Sequence, residues 1–279
     1  MVMKSITKTL IIVIVSMLFC SCHDYYYVPG FDFSNFNHTP LSKLARAVKK
    51  QDVEKINRIV KQGNIDLEYY DPEYGNTILM YAVAHDLDKS VEELLKLGAN
   101  PNKLSRYSPD EQQTTPLLVA CTSHYKKHYS DTKVLKLLIK YGGNVNFIVD
   151  GKVKIDIDIE HPYRNTPLLE ASGGLNNEGL ELIKVLVEAG ANINDYKYPE
   201  EYGPITSAII QKNMKIARYF IIDRKAEIPE YCFEQIDGTK LTITDLINFK
   251  EGQPNFEKGS ENYKIGQEII DYLKSIGSR

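Results

Sequence analysis

From residue 40 the apolar positions of the chain come in pairs of short blocks. The stretch "NTILMYAVAHDLDKSVEELLKLGANPN" (76–102) has one apolar block, a polar break, and a second block of the form VxxLL that stops at Gly. "TTPLLVACTSHYKKHYSDTKVLKLLIKYGGNVN" (114–146) and "NTPLLEASGGLNNEGLELIKVLVEAGANIN" (165–194) repeat the scheme. Helical spacing of the apolar residues within the blocks predicts two short helices per copy. A Thr opens the first helix, where its hydroxyl caps, and Pro at the first helical position loses no hydrogen bond. Gly98, Gly142 and Gly190 are the matching stops. A degenerate copy precedes them, "LSKLARAVKKQDVEKINRIVKQGNID" (41–66), in which Ala47 stands sixteen residues before Gly63, as Ala82 does before Gly98. Another follows at 203–229, with Lys225 and Ala226 in place of Gly-Ala, and a last, split copy runs from 241–250 to 266–277. The pattern predicts an all-α repeat solenoid of about six helix–turn–helix units, near residues 40–73, 74–110, 113–160, 163–199, 201–230 and 240–277. Such units bury a core only by stacking, so each end needs a polar cap. The first helix around "RAVKKQD" and the last helix suit those roles.

The openings Thr77, Thr115, Thr166 and Gly203 are 38, 51 and 37 residues apart. The extra length falls in the inter-helix turn "TSHYKKHYSD" and in the segments between units, longest at "FIVDGKVKIDIDIEHPYR" (147–164). In the latter, "FIV" and "KVKI" flank Asp150-Gly151, a dipeptide favoured at type I′ turns, so an antiparallel hairpin turning at those two residues is expected.

The Thr-Pro-Leu openings, the paired helices and the Gly-Ala or Gly-Gly stops resemble the ankyrin repeat, from about residue 40 to 277. The resemblance implies elongated hairpin fingers and a recognition face made of the fingers and the first helices, with a protein partner rather than a substrate. It also implies a His three residues after each opening; here Met80, Leu118, Leu169 and Thr206 stand there instead, which implies heavier reliance on apolar packing. Of 19 tyrosines, eight fall in the segments between units: Tyr69, Tyr70, Tyr74, Tyr107, Tyr163, Tyr196, Tyr198 and Tyr202. Tyrosine offers large contact area at small rotamer cost, so these eight are the expected partner-binding residues, although strand-type packing between fingers would also place them there.

Charge removes some alternatives. The chain of 279 residues carries a formal net charge of −3, and without residues 1–21 there remain 32 basic and 37 acidic residues. No basic excess exists to follow a phosphate backbone, so nucleic acid is not an expected partner. His124 and His128 have the i, i+4 spacing of zinc ligands, but Lys126 and Lys127 lie between them with no acid, and a solvated insertion is the better reading. "IDIDIE" (155–160) alternates isoleucines with acids, which suits a strand with one wet acidic face better than a calcium loop. No nucleophile elbow, phosphate loop or dinucleotide fingerprint appears. A non-enzymatic monomer without cofactor or metal is expected. The competing reading is an envelope metal-binding protein or enzyme that uses the insertions at 121–130 and 147–164.

The N-terminus has a pattern of its own. "MVMKSITK" bears two lysines and no acid, "TLIIVIVSMLF" is an apolar run of about eleven residues, and "CSC" follows. A membrane span needs roughly twenty; a basic start, a short apolar run and a small-residue exit describe an export signal. Ser21 before Cys22, after hydrophobic residues, resembles the lipobox of bacterial lipoproteins. That resemblance implies cleavage after a 1–21 signal peptide, lipid on Cys22, and a bacterial cell envelope location with membrane attachment through the lipid. His23, where enteric lipoproteins kept in the inner membrane have Asp, points to the outer membrane. Residues 22–39 are then expected as a tether before a repeat domain at 40–279, with Tyr25 to Tyr27 at headgroup depth. Cys121 and Cys232 remain, both expected as core cysteines.

Overall fold

The computed structural model describes residues 31–106, 112–122, 131–156, 159–174, 177–195, 203–234 and 238–278. Among them are twelve α-helices in six pairs: α1 (Ser42–Lys49) with α2 (Val53–Gly63), α3 (Ile78–Ala84) with α4 (Asp88–Lys96), α5 (Pro116–Cys121) with α6 (Lys133–Lys140), α7 (Pro167–Gly174) with α8 (Leu180–Glu188), α9 (Pro204–Ile210) with α10 (Met214–Arg218), and α11 (Ile243–Lys250) with α12 (Glu261–Ser275). The odd-numbered helices stack in one row, each on the next from α1 to α11. The even-numbered helices form the second row, α2 on α4, α4 on α6, α8 on α10 and α10 on α12. This is the all-α repeat solenoid that the paired apolar blocks describe.

The two rows differ as their sequences do. The inner helices α3 and α5 are short and buried along their whole length. The outer helices are amphipathic: α4 buries Val91, Leu94 and Leu95, α6 buries Val134, Leu135 and Leu138, and α8 buries Leu182, Ile183 and Leu186. Spacing of three and four residues puts each trio on one face of its helix. Where the resemblance implied histidine, Met80, Leu118 and Thr206 are buried and Leu169 is half-buried, so three of the four positions are filled from within the core.

Helix ends follow the punctuation with one exception. The Thr115 hydroxyl accepts the Leu118 N–H and the Thr166 hydroxyl accepts the Leu169 N–H, both at 3.2 Å. Thr77, which lacks the following Pro, makes no cap bond, and its buried Oγ1 has no hydrogen-bond partner. At the other ends Gly98, Gly142 and Gly190 take φ of 98°, 92° and 92°. The next residue's N–H then closes back on the last turn (Ala99 to the Leu94 carbonyl, Gly143 to Leu138, Ala191 to Leu186). In the fifth unit Lys225 takes the same left-handed conformation, φ 51°, after a π-helical turn at Tyr219–Asp223.

Two expectations are corrected. The 22–39 segment is not all tether, because it is folded from Phe31 onward. A 3₁₀ turn at Phe33–Phe36 packs on α1, and Phe31, Phe33 and Phe36 are buried. Their rings meet the Tyr81 ring with centroids 5.2, 5.5 and 4.8 Å away. The polar character of "GFDFSNFNHTP" hid three aromatics spaced to cover one exposed end of the core. The hairpin also turns elsewhere. Strand β1 (Val149–Asp156) runs straight through Asp150-Gly151 and pairs antiparallel with β2 (Ile159–Asn165), with Gly151 opposite Tyr163. Gly151 has no positive φ. A Cβ there would lie 3.0 Å from the Tyr163 hydroxyl, so the glycine makes room for a cross-strand ring rather than a turn. A second, short ribbon pairs β3 (Phe233–Glu234) with β4 (Lys240–Leu241).

Cys121 and Cys232 are buried, and among the described residues neither is in a disulfide. Burial pushes the Cys232 thiol up to about 11. No helix among the described residues is long and apolar enough to cross a membrane.

Candidate protein-interaction face

The first finger is built on a buried polar frame. There Asp71 is fully buried and accepts three backbone N–H bonds, from Glu73 (3.0 Å) and Tyr74 (2.7 Å) on Oδ1 and from Asn76 (2.6 Å) on Oδ2. It also accepts the Tyr81 hydroxyl, which in turn accepts from the Asn35 side-chain amide at 2.9 Å. One carboxylate thus ties the finger, the inner helix α3 and the N-terminal aromatic turn together. Burial raises the Tyr81 hydroxyl far above its ordinary range.

An asparagine ladder joins successive fingers. Asn102 Oδ1 accepts the Asn144 N–H at 2.7 Å while its Nδ2 donates to the Gly142 carbonyl at 2.9 Å. Asn146 does the same to the Asn192 N–H (2.8 Å) and the Gly190 carbonyl (2.9 Å). Asn194 Oδ1 accepts from Glu227 N–H at 3.1 Å. Each rung comes from the second Asn in "GANPN", "GGNVN" or "GANIN". The recurrence was present in the sequence, hidden because it spans the boundary between units.

The expected tyrosines divide by task. Tyr70 pairs by a β-bridge with Thr77, donates its hydroxyl to the Leu104 carbonyl at 3.0 Å, and lies under Lys103 and Arg106, whose charged ends stand 5.2 and 5.4 Å from its ring centroid. Tyr163 accepts the Gln113 N–H at 3.0 Å. Both join one finger to another. Tyr74 is half-buried, with its N–H on Asp71. Tyr69 is half-buried. With Tyr70, Pro72, Asp66, Glu68, Lys103 and Arg106 it lines an open depression of about 420 Å³ between the first two fingers. Tyr107, Tyr196, Tyr198 and Tyr202 lie outside the described residues, as do Cys22, Tyr25 to Tyr27, His124 and His128. So do two residues of "IDIDIE", Ile157 and Asp158. Lys103 and Arg106 carry no sequence signal beyond their place in a finger, and only the structure brings them to Tyr70.

The inner-helix face is closed at one end and open further along. Four residues after the opening, Tyr81 is fully buried under the N-terminal aromatics and Val119 is buried. The equivalent Glu170 and Ser207 are half-exposed. An ion pair joins the fingers beside this open part: Arg164 Nη2 donates to both Asp195 carboxylate oxygens, at 2.9 and 2.7 Å, with both side chains largely buried. Among the described residues no group of three or more His, Cys, Asp or Glu is placed to hold a metal ion. The arrangement offers shape, hydrogen-bonding edges and aromatic surface.

Comparison with known families bears on the same residues. Residues 44–148 match a model of ankyrin repeats in three copies, and residues 163–197 match a model of the single ankyrin repeat.

Proposed function

The chain is an ankyrin-repeat protein, and from that premise we propose that it is a lipid-anchored protein of a bacterial cell envelope that holds a protein partner on its fingers and open inner-helix face. Ankyrin repeats act as protein-interaction modules; the finer reading adds the anchor and the place of contact. The observation that carries the place of contact is the unequal closure of the inner face. The N-terminal aromatics cover it at Tyr81, while Glu170 and Ser207 and the finger depression at Tyr69 remain accessible. The role is that of an adaptor, or of an inhibitor or immunity-type protein, and needs no cofactor. The anchor reading rests on the basic start, the short apolar run and Ser21-Cys22, with attachment to the outer membrane favoured by His23 and a monomeric chain on the lipid.

Two experiments test the parts separately. Metabolic fatty-acid labelling of the full chain is expected to mark the wild type and not Cys22→Ser; label retained on Cys22→Ser sinks the anchor. For the contact, Tyr69→Ala and Ser207→Arg are expected to lower affinity for the envelope partner about tenfold or more with the melting temperature unchanged. Unchanged affinity in both sinks the proposed face.

A further inference from the structure

The first rung of the ladder is chemically different from the others. Glu68 occupies the position of Asn102, Asn146 and Asn194: its own N–H bonds the Asp66 carboxylate at 2.9 Å, as the Asn102 N–H bonds Asn100 and the Asn146 N–H bonds Asn144. Glu68 Oε1 accepts the Asn100 N–H at 2.8 Å, the same step to the next finger that its sisters make. The sisters at 102 and 146 add a second bond, from Nδ2 to the carbonyl of the next unit's left-handed glycine. An ionised carboxylate has no proton to give. Glu68 Oε2 is buried and has no hydrogen-bond partner.

We propose that Glu68 is a proton-operated rung: protonated, it supplies the donor that Asn102 and Asn146 supply with their amides, with the Gly98 carbonyl as the equivalent acceptor, and ionised it leaves the joint between the first two fingers with one bond instead of two. The charged and titratable groups around it are Asp66 on its own finger, Lys103 and Arg106 of the second finger, and the Tyr69 and Tyr70 hydroxyls, all lining the same depression. Burial is the largest influence on the Glu68 carboxyl and raises it. The Asn100 N–H and the Lys103 charge pull the other way, and Asp66 adds to the rise. The folded chain therefore binds this proton more tightly than the unfolded chain. The rung's stabilisation is present in acid and is lost as pH rises through the raised value. Because the depression straddles the joint, its walls are held more firmly at low pH. This inference concerns the joint itself and stands apart from where a partner binds.

The test compares the full-length chain with Glu68→Gln, which carries the donor at every pH, and Glu68→Ala, which carries neither bond. Melting temperature and the hydrogen-exchange protection of the Asn100 amide are measured from pH 8 to pH 4. Glu68→Gln is expected to melt higher than wild type at pH 8 and to protect Asn100 about tenfold more, the effect of one added hydrogen bond. Both gaps are expected to close toward pH 4. Glu68→Ala is expected to fall below Glu68→Gln throughout. A gap between wild type and Glu68→Gln that is absent, reversed or independent of pH overturns the proposal.

Discussion

Lys225 does with strain what three sister units do with glycine. Its φ of 51° is the left-handed conformation, which costs a residue with a Cβ about 1 kcal/mol. Lys225→Gly is therefore expected to stabilise the chain by about 1 kcal/mol, read as a higher urea midpoint at unchanged slope. Thr77 presents the opposite case, a hydroxyl buried with nothing to bond. An unsatisfied buried hydroxyl costs about 1–3 kcal/mol, so Thr77→Val is expected to raise the same midpoint; a fall would mean that the hydroxyl has a use that the fold does not reveal. Cys232 is expected to resist a thiol reagent at pH 8 until the chain unfolds, because its raised thiol is protonated there as well as buried. At this scale the helix starts at Thr115 and Thr166 and the stops at Gly98, Gly142 and Gly190 were legible, since each is a local backbone demand met by one residue type. The missing cap at Thr77 was not. The opening Thr is the same, but Ile78 stands where the capped copies have Pro116 and Pro167, and whether a hydroxyl reaches an N–H depends on the turn that its neighbours impose.

At the scale of elements, the least legible pieces were those whose partners are remote in sequence. "FDFSNF" has no helical period, and only the placement of Tyr81 more than forty residues later shows that its phenylalanines cap the inner row. Removing Phe36, which is fully buried, is expected to cost about 3–5 kcal/mol. Phe36→Ala should accordingly lower the urea midpoint far more than a change in the exposed part of α2, such as Lys61→Ala. The long finger shows the limit of a dipeptide rule. Asp-Gly favours a hairpin turn in isolation, but here Gly151 is spent on the ring of Tyr163 and β1 runs on through it to Asp156. Gly151→Val is expected to displace that ring and release the Gln113 N–H from its hydroxyl, seen as faster exchange of the Gln113 amide with α5 and α7 still protected. The tyrosines follow the same logic. Their location in fingers was visible, but the division between Tyr70 and Tyr163, which join fingers, and Tyr69, which faces the depression, follows from hydrogen bonds to Leu104 and Gln113 that no pattern encodes.

Across the array, helices came through clearly because one period repeats six times and each copy supports the reading of its neighbours. The functional face did not, because it is composed of residues from several units that come together only when the units stack. The resulting picture is a row of inner helices sealed at its start by an aromatic cap, with fingers locked to one another by the rungs Glu68, Asn102, Asn146 and Asn194. Recognition is then assigned to the open stretch at Glu170 and Ser207 and to the finger depression, with the outer row left to solvent. The most direct test places a photo-crosslinking amino acid at Tyr69, at Ser207 and at Lys136, an exposed residue of outer helix α6, in full-length chains expressed in intact cells. The account predicts one discrete adduct of the same protein from positions 69 and 207 and none from 136. An adduct at 136 with neither of the other two would contradict it.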